Sequence, residues 1–449
     1  MAKSAGVKYV CNACGAVTLS WTGRCQSCGE WNTLTEQLEI DAKNLSLRGK
    51  VLSGQSIKKL ANAKQKDRLV TGLPDVDSVL GGGLVPGSTT LIAGQPGIGK
   101  STLLLQIAYR VAKNSKVLYV SGEESAHQIG LRAARLGARH DNLELATSTS
   151  ADDITATIAA KKHQLVIVDS IQTMAVEAIS SAPGNVSQIT NSAQLIGAAA
   201  KNSDTAVVFV GHVTKEGAIA GPKILEHVVD VVLELEGERY GGFKLLRSVK
   251  NRFGSSSETG IFEMTDGGLQ SVANPSAALL AERQISDGSI VLATMEGSRP
   301  LLVEVQALVN PTSFGYPKRT ASGIDLNRVN LLVAVLERRT KMTLSERDIY
   351  INIVGGIRIS EPAADLAVCM AIASAAKGMQ LKKNAVVFGE VGLSGEVRHV
   401  PNIDKRVNEA KKLGFDGAIG PPIRSGKKPV YLLSVRDVRS ALNIFLEKD

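Results

Sequence analysis

The chain has 449 residues, enough for two or three domains that each bury their own core. Its 52 basic residues against 43 acidic ones leave a formal charge of +9, which points to a polyanionic partner, nucleic acid first. No apolar run reaches the roughly 18 residues of a membrane span, and the first residues lack a signal-peptide core. A cytoplasmic protein with reduced cysteines is therefore expected, and an aromatic content of 4% argues against a base-stacking platform.

Four of the five cysteines come first, as Cys11-x2-Cys14 and Cys25-x2-Cys28. Each pair offers two thiolates from one tight turn, and two such knuckles complete a closed, four-thiolate zinc site. Gly15 and Gly29 follow the second cysteine of each pair, as a knuckle turn requires. Two disulfides or a redox pair compete with zinc, and a reducing compartment weakens both. A module of residues 1–35 is too small to fold on its apolar core, so metal is expected to drive its folding. Trp21 and Trp31 are expected to form its small core. Residues 36–68, with Lys43, Arg48, Lys58 and Lys64 among their charges, read as a basic linker that either spaces the domains or touches nucleic acid.

Residues 69–272 alternate strand-like and helix-like segments, the pattern of a doubly wound α/β sheet. Strands are expected at 88–93, 116–121, 164–169, 206–211, 229–235 and 243–249. Between the first strand and a helix from Thr102 to Lys113 lies Gly94-Gln95-Pro96-Gly97-Ile98-Gly99-Lys100-Ser101-Thr102. This is the G-x-x-x-x-G-K-[ST] pattern in its strand–loop–helix setting. Backbone amides and the helix dipole would cradle the phosphates of ATP or ADP, Lys100 would reach the outer ones, and Ser101 would hold magnesium. Ligands of such sheets bind at the carboxyl ends of strands. Asp169 ends an apolar strand and is expected to hold the magnesium through water. Glu123, beside Glu124, is the candidate base for the attacking water, against the alternative of a helix N-terminal acid. His212 ends another strand and is either a γ-phosphate sensor or structural. Loops 173–190 and 215–226 are either mobile segments that read ATP state to a second ligand or ordinary connections.

The four-cysteine knuckle, the P-loop and Lys250-Asn251-Arg252-Phe253-Gly254 in one chain resemble the bacterial RadA (Sms) family of DNA-repair proteins. The resemblance spans essentially the whole chain and implies a RecA-like P-loop ATPase core. It implies that Lys250 and Arg252 act across a subunit interface or on DNA, Lys250 as a catalytic cation on a neighbour's γ-phosphate. It implies a homo-hexameric ring that binds single-stranded and branched DNA and drives branch migration beside a RecA recombinase. A charged β-turn is the plain alternative for 250–254.

Residues 273–449 resemble the Lon protease domain, an α+β unit. Strand-like alternation runs over 295–309 and 349–354, helices are expected at 329–339 and 363–376, and a hairpin at 386–397. Where Lon proteases place their nucleophilic serine, this chain has Ala363, and the lysine position falls on Asp404 or, with a one-residue slip, Lys405. Without a nucleophile, peptide-bond attack has no starting group, so a proteolytically inactive scaffold is expected. Arg299, Lys318, Arg319 and Arg328 could line a DNA path or be solvated charge. Cys369 reads as a packed core residue of an apolar helix. Two rivals to the motor reading are a nucleotide-switched interaction protein without motor activity and an ATP-dependent protease.

Overall fold

A computed structural model describes residues 7–11, 13–31, 33–38, 56, 67–160, 162–212, 222–237, 242–312, 315–423 and 429–447. The chain divides into two compact units, Met1–Gln65 and Lys66–Asp449. Most of the expected linker 36–68, and residues 213–221 of the expected second loop, lie outside the described residues.

In the smaller unit, β1 (Val7–Cys11) pairs antiparallel with β2 (Val17–Thr18) and with β3 (Leu34–Leu38). Its core is Cys11, Cys25 and Leu34, with Tyr9 and Ala16 packed against them. The tryptophans are not that core: Trp21 is 57% and Trp31 68% exposed. Sulfurs and one leucine fill so small an interior, and two indoles have no room inside it.

In the larger unit the sequence pattern becomes a nine-stranded sheet among the described residues. Its strands are β4 (Thr89–Gly94), β5 (Val117–Ser121), β6 (Leu143–Thr147), β7 (Leu165–Asp169), β8 (Ala206–His212), β9 (Val231–Gly237), β10 (Phe243–Asn251), β11 (Thr259–Thr265) and β12 (Gly268–Ser271). Their order is β12-β11-β10-β9-β4-β8-β7-β5-β6. Strands β9 to β6 in that order run parallel, and β10, β11 and β12 extend the sheet antiparallel. The six expected strands are all present. β6 escaped the sequence reading because its edge position leaves it half exposed, which breaks the apolar run. β11 and β12 escaped because they form a short hairpin around Asp266-Gly267. The fully buried runs Leu91–Ala93 and Leu165–Val168 show that helices cover both faces.

A second sheet contains β13 (Ser289–Glu296), β14 (Arg299–Pro311), β15 (Arg319–Ser322) and β16 (Arg347–Ile353), followed by strands Ala385–Val387, Gly417–Gly420 and Leu432–Ser434. Helix Asp365–Lys377 is buried along almost its whole length against it, Cys369 included. The expected hairpin at 386–397 is corrected. Ala385–Val387 pairs in parallel inside the main sheet, and the hairpin is Glu390–Val391 with Val397–Arg398. A continuous apolar triplet buried on both faces reads like a hairpin arm in sequence but belongs to a parallel sheet.

The tip of the β13–β14 hairpin docks on the first sheet. Arg247 of β10 donates to Glu296 at 2.7 Å, and Ser298 donates its amide to Ser257 O at 2.6 Å and its hydroxyl to Glu258 at 2.8 Å.

Candidate nucleotide and zinc sites

The P-loop follows β4, the strand between β8 and β9, and register brings the neighbouring strand ends level with it. Gly94 lies opposite His212 on one side and Leu235 on the other, and Ser121 lies opposite Asp169. Gly94 is required by this close approach, since a Cβ there would lie 2.5 Å from Leu235 O. Gly99 caps helix Lys100–Ala112 with φ +118°, a conformation that favours glycine. The helix begins at Lys100, two residues before the expected start, so Ser101 and Thr102 stand in its first turn.

A cavity of about 570 Å³ opens at this edge, lined by Pro96, Gly97, Gly99, Lys100, Ser101 and Thr102, and by Glu123, Glu124 and His212. Gly94 and Ile98 are buried on the inner side of the loop and Gln95 is exposed, and the Lys100 ammonium donates to Gly94 O at 2.8 Å and Gln95 O at 3.0 Å. Burial lowers its pKa to about 8, against the fields of Asp169 and Glu123. Asp169 is buried behind the loop, and its Oδ2 accepts from the Tyr119 hydroxyl at 2.5 Å. Burial, reinforced by Asp169, raises the Tyr119 pKa well above its usual value. The Asp169–Ser170 peptide is cis.

The two adjacent acids differ in their surroundings. Glu123 faces His212 Nε2 at 3.2 Å and accepts from the Ser170 hydroxyl. The His212 hydrogen bond, then Ser170, holds its carboxyl below the usual range despite partial burial. Glu124 is engaged by Arg132 in an ion pair.

Several groups at this cavity were not identified from sequence. Arg132 and Arg135 come from helix Ala126–Arg135, and Met264, Thr265, Asp266 and Gly268 from the β11–β12 hairpin. Gln106 of the P-loop helix fixes that hairpin by accepting from Leu269 N at 2.9 Å and donating to Leu269 O at 3.1 Å. The basic spacing in Leu-Arg132-Ala-Ala-Arg135 was the one available signal. Loop 173–190 is bridged by side-chain hydrogen bonds and its last residues are helical. Gln188 accepts from Val176 N and donates to Ile179 O and Ser181 O, and a helix starts at Val186.

Lys250 does not join this cavity. β10 runs antiparallel to β9, so Lys250 lies beside Val232, which pairs with Leu91 of β4, and Asn251 lies beside Val231, which pairs with Thr90. That is the sheet end away from the P-loop. There the Lys250 ammonium donates to Glu226 O at 2.5 Å and Val229 O at 2.8 Å. Burial, then Arg252, lowers its pKa. Arg252 meets Asp230 at 3.1 Å, Asn251 donates to Val79 O, and Phe253 O accepts from Arg68. Gly254 packs against Gly81, which ends helix Pro74–Leu80.

In the second sheet, Ala363 is buried. Glu361 beside it accepts from the fully buried Arg406 at 2.6 and 2.8 Å, and from Thr294 and the Met295 amide. Lys405 donates to Ser298 O at 3.0 Å. Three cations expected to line a DNA path have internal partners. Arg328 forms a two-pronged pair with Asp365, Arg299 lies 3.4 Å from Asp75, and Arg319 donates to Asn330 at 3.3 Å. Lys318 is exposed.

The four cysteines converge. All four sulfurs lie within 4.8 Å of one another, with Cys11 to Cys28 and Cys14 to Cys25 at 3.7 Å. Sulfurs about 2.3 Å from one tetrahedral zinc stand about 3.8 Å apart, whereas a disulfide needs about 2.05 Å. The donor set therefore fits zinc. The knuckles repeat each other: Gly15 N donates to Cys11 O, and Gly29 N to Cys25 O, with φ +73° and +80° at the two glycines. The Cys11 sulfur lies 3.1 Å from the Thr33 hydroxyl, to which it donates, and that contact is the main cause that lowers the Cys11 thiol to about 6, whereas burial and the neighbouring sulfurs push Cys28 up to about 12.

Three family models match the chain: an AAA domain over residues 58–218, a rubredoxin metal binding domain over 9–36, and subunit ChlI of Mg-chelatase over 326–423. The chain is 47% identical to the DNA repair protein RadA of Halalkalibacterium halodurans, over 98% of both chains. It is 47% identical to that of Listeria monocytogenes over 97% of both, and 46% identical to that of Pseudomonas aeruginosa over 98% of both. Among solved structures, the RadB recombinase aligns at 24% identity with a TM-score of 0.36, covering 45% of this chain and 99% of that one.

Proposed function

The chain belongs to the DNA repair protein RadA family, and from that premise we propose a DNA-dependent ATPase that binds single-stranded and branched DNA and drives branch migration alongside a RecA recombinase. The coarser statement is firm: this is a RecA-like ATPase of DNA repair, with a zinc-binding N-terminus and a Lon-like C-terminal region. The observation that supports the ATPase part of this reading is the convergence of the P-loop, Glu123 and His212 on one open cavity, and its DNA-dependent part rests on the family resemblance.

In this reading the loop amides, Lys100 and Thr102 hold the phosphates of ATP, and Ser101 with Asp169 holds the magnesium that neutralises their charge. Lys100 exchanges its carbonyl partners for phosphate oxygens when ATP enters. Glu123 is the base for the attacking water rather than Glu124. It is ionised, oriented by His212 and Ser170, and free of an arginine. His212 touches that base and ends the strand that leads toward 213–221, so it couples the γ-phosphate position to the next segment. Lys250 and Arg252 serve a neighbouring subunit or DNA, since their own P-loop is at the other end of the sheet. A homo-hexameric ring, the assembly that the family resemblance implies, would supply such a neighbour. The Lon-like region is a scaffold without peptidase activity, because Ala363 offers no nucleophile.

The deciding experiment is ATP hydrolysis with and without single-stranded DNA, for the wild type and Lys100→Ala. Stimulation by DNA that disappears in the variant supports a DNA motor. Hydrolysis indifferent to DNA sinks the motor and leaves a nucleotide-switched interaction protein.

A further inference from the structure

The chain has two tryptophans, and both sit exposed in the zinc-binding unit. Indoles are highly buried on average, so two outside the core of one small module need a reason. They also lie close together. A Cβ built on Gly23 would be 3.7 Å from a Trp31 ring carbon and 4.0 Å from the outer edge of Trp21, so both rings border one residue that has no side chain. Next to them, the Arg24 guanidinium is 5.8 Å from the Trp31 ring centroid. It is fixed by donation from Nε to Gly29 O at 2.7 Å, and Arg24 and Trp31 share a backbone bridge. Arg24 is the one cation between Val17 and Trp31.

We propose that Trp21 and Trp31 form a stacking site for the bases of an unpaired nucleic-acid strand, with Arg24 beside its backbone. Open indole faces with one fixed guanidinium supply sequence-tolerant single-strand binding, because every base has a π face. A duplex hides those faces and is excluded. The guanidinium over one face of Trp31, which leaves the other face for a base, and the +9 charge of the chain favour an anionic strand over an apolar protein face. The Cys25–Cys28 knuckle lies between the two rings in sequence, so a zinc held by the four cysteines would fix the segment that joins them. The proposal refines the DNA-binding reading above and rests on it.

Tryptophan emission reads this site alone, because the chain has no other indole. The zinc-loaded full-length protein is titrated with a dT oligonucleotide, with an abasic strand of equal length and with a duplex. Binding of a fluorescein-labelled dT strand is followed separately by anisotropy. Saturable quenching by dT at the anisotropy midpoint, with none from the abasic strand or the duplex, is the expected result. Trp31→Ala should weaken dT binding about tenfold, while Trp31→Phe keeps most of it. Constant emission while the labelled strand binds overturns the stacking site, leaves DNA binding intact and reassigns the rings to a protein contact. Absence of binding in both readouts removes the DNA-binding reading and this site with it.

Discussion

Around the P-loop, Lys100, Glu123 and His212 line an open cavity together with Arg132, whose buried Nη1 has no hydrogen-bond partner among the described residues. Around Ala363, Glu361 is engaged by Arg406, Thr294 and the Met295 amide, and Asp365 by Arg328 and the Val391 amide. Both regions place acids and bases beside a sheet, the first at strand ends and the second on the helices and the turn packed against it. In the first, polar atoms converge on space a ligand can fill. In the second, each charge is closed on a neighbour. A charge cluster beside a sheet therefore becomes a candidate site when its partners leave a face open.

The strongest test of this contrast removes a charge from each side. Lys100→Ala should lower ATP hydrolysis by about a thousandfold, since it deletes the phosphate contact, and should cost about 1 kcal/mol of stability, since the buried ammonium also donates to Gly94 O and Gln95 O. Next in size, Glu123→Gln should lower kcat by a factor of about a hundred or more, the range of a lost general base. Glu124→Gln should cost far less, and equal losses for the two would break the assignment of the base. On the closed side, Arg406→Met should destabilise the protein by about 3 kcal/mol, because it leaves Glu361 without its counter-charge. It should leave kcat per folded molecule unchanged, as read by thermal denaturation beside the ATPase assay.

Two smaller effects sharpen the picture. Lys100 binds phosphate as a cation, and its pKa in the nucleotide-free protein is lowered to about 8. The apparent KM for ATP should therefore rise as pH increases through 8, while Glu123, held below the usual carboxylate range, stays ionised across neutral pH. A KM that is flat from pH 7 to 9.5 would contradict this. Last, Ala363→Ser should cost about 1 kcal/mol from a poorly satisfied buried hydroxyl and yield no casein degradation. Appearance of peptidase activity would show that the dyad geometry survives.

The P-loop was legible because its chemistry is local. Glycines, lysine and serine lie within nine residues and need only the strand and helix that flank them. The zinc ligands were legible for the same reason, two tight turns with two sulfurs each. Thr33, which tunes Cys11, was not, because it reaches the sulfur from 22 positions away. The Lys250 segment illustrates a different limit. Its composition suggested a strand-end cation, but which end of the sheet it occupies depends on strand direction, and β10 reverses the parallel order. Indoles are highly buried on average, yet this module's core of two sulfurs and one leucine is too small to hold Trp21 and Trp31.

The sequence by itself determined the Gly94–Thr102 loop between its strand and helix, the four clustered cysteines and six strands of the first sheet, five of them parallel and the sixth, β10, antiparallel. Each is a matter of residue type at short spacing. The tertiary structure alone decided which acid beside the P-loop stays open, which arginines are consumed by internal carboxylates, where Lys250 faces and that both indoles meet solvent. Those outcomes depend on partners far apart in the chain, brought together by register and burial, and short-range pattern carries no record of them.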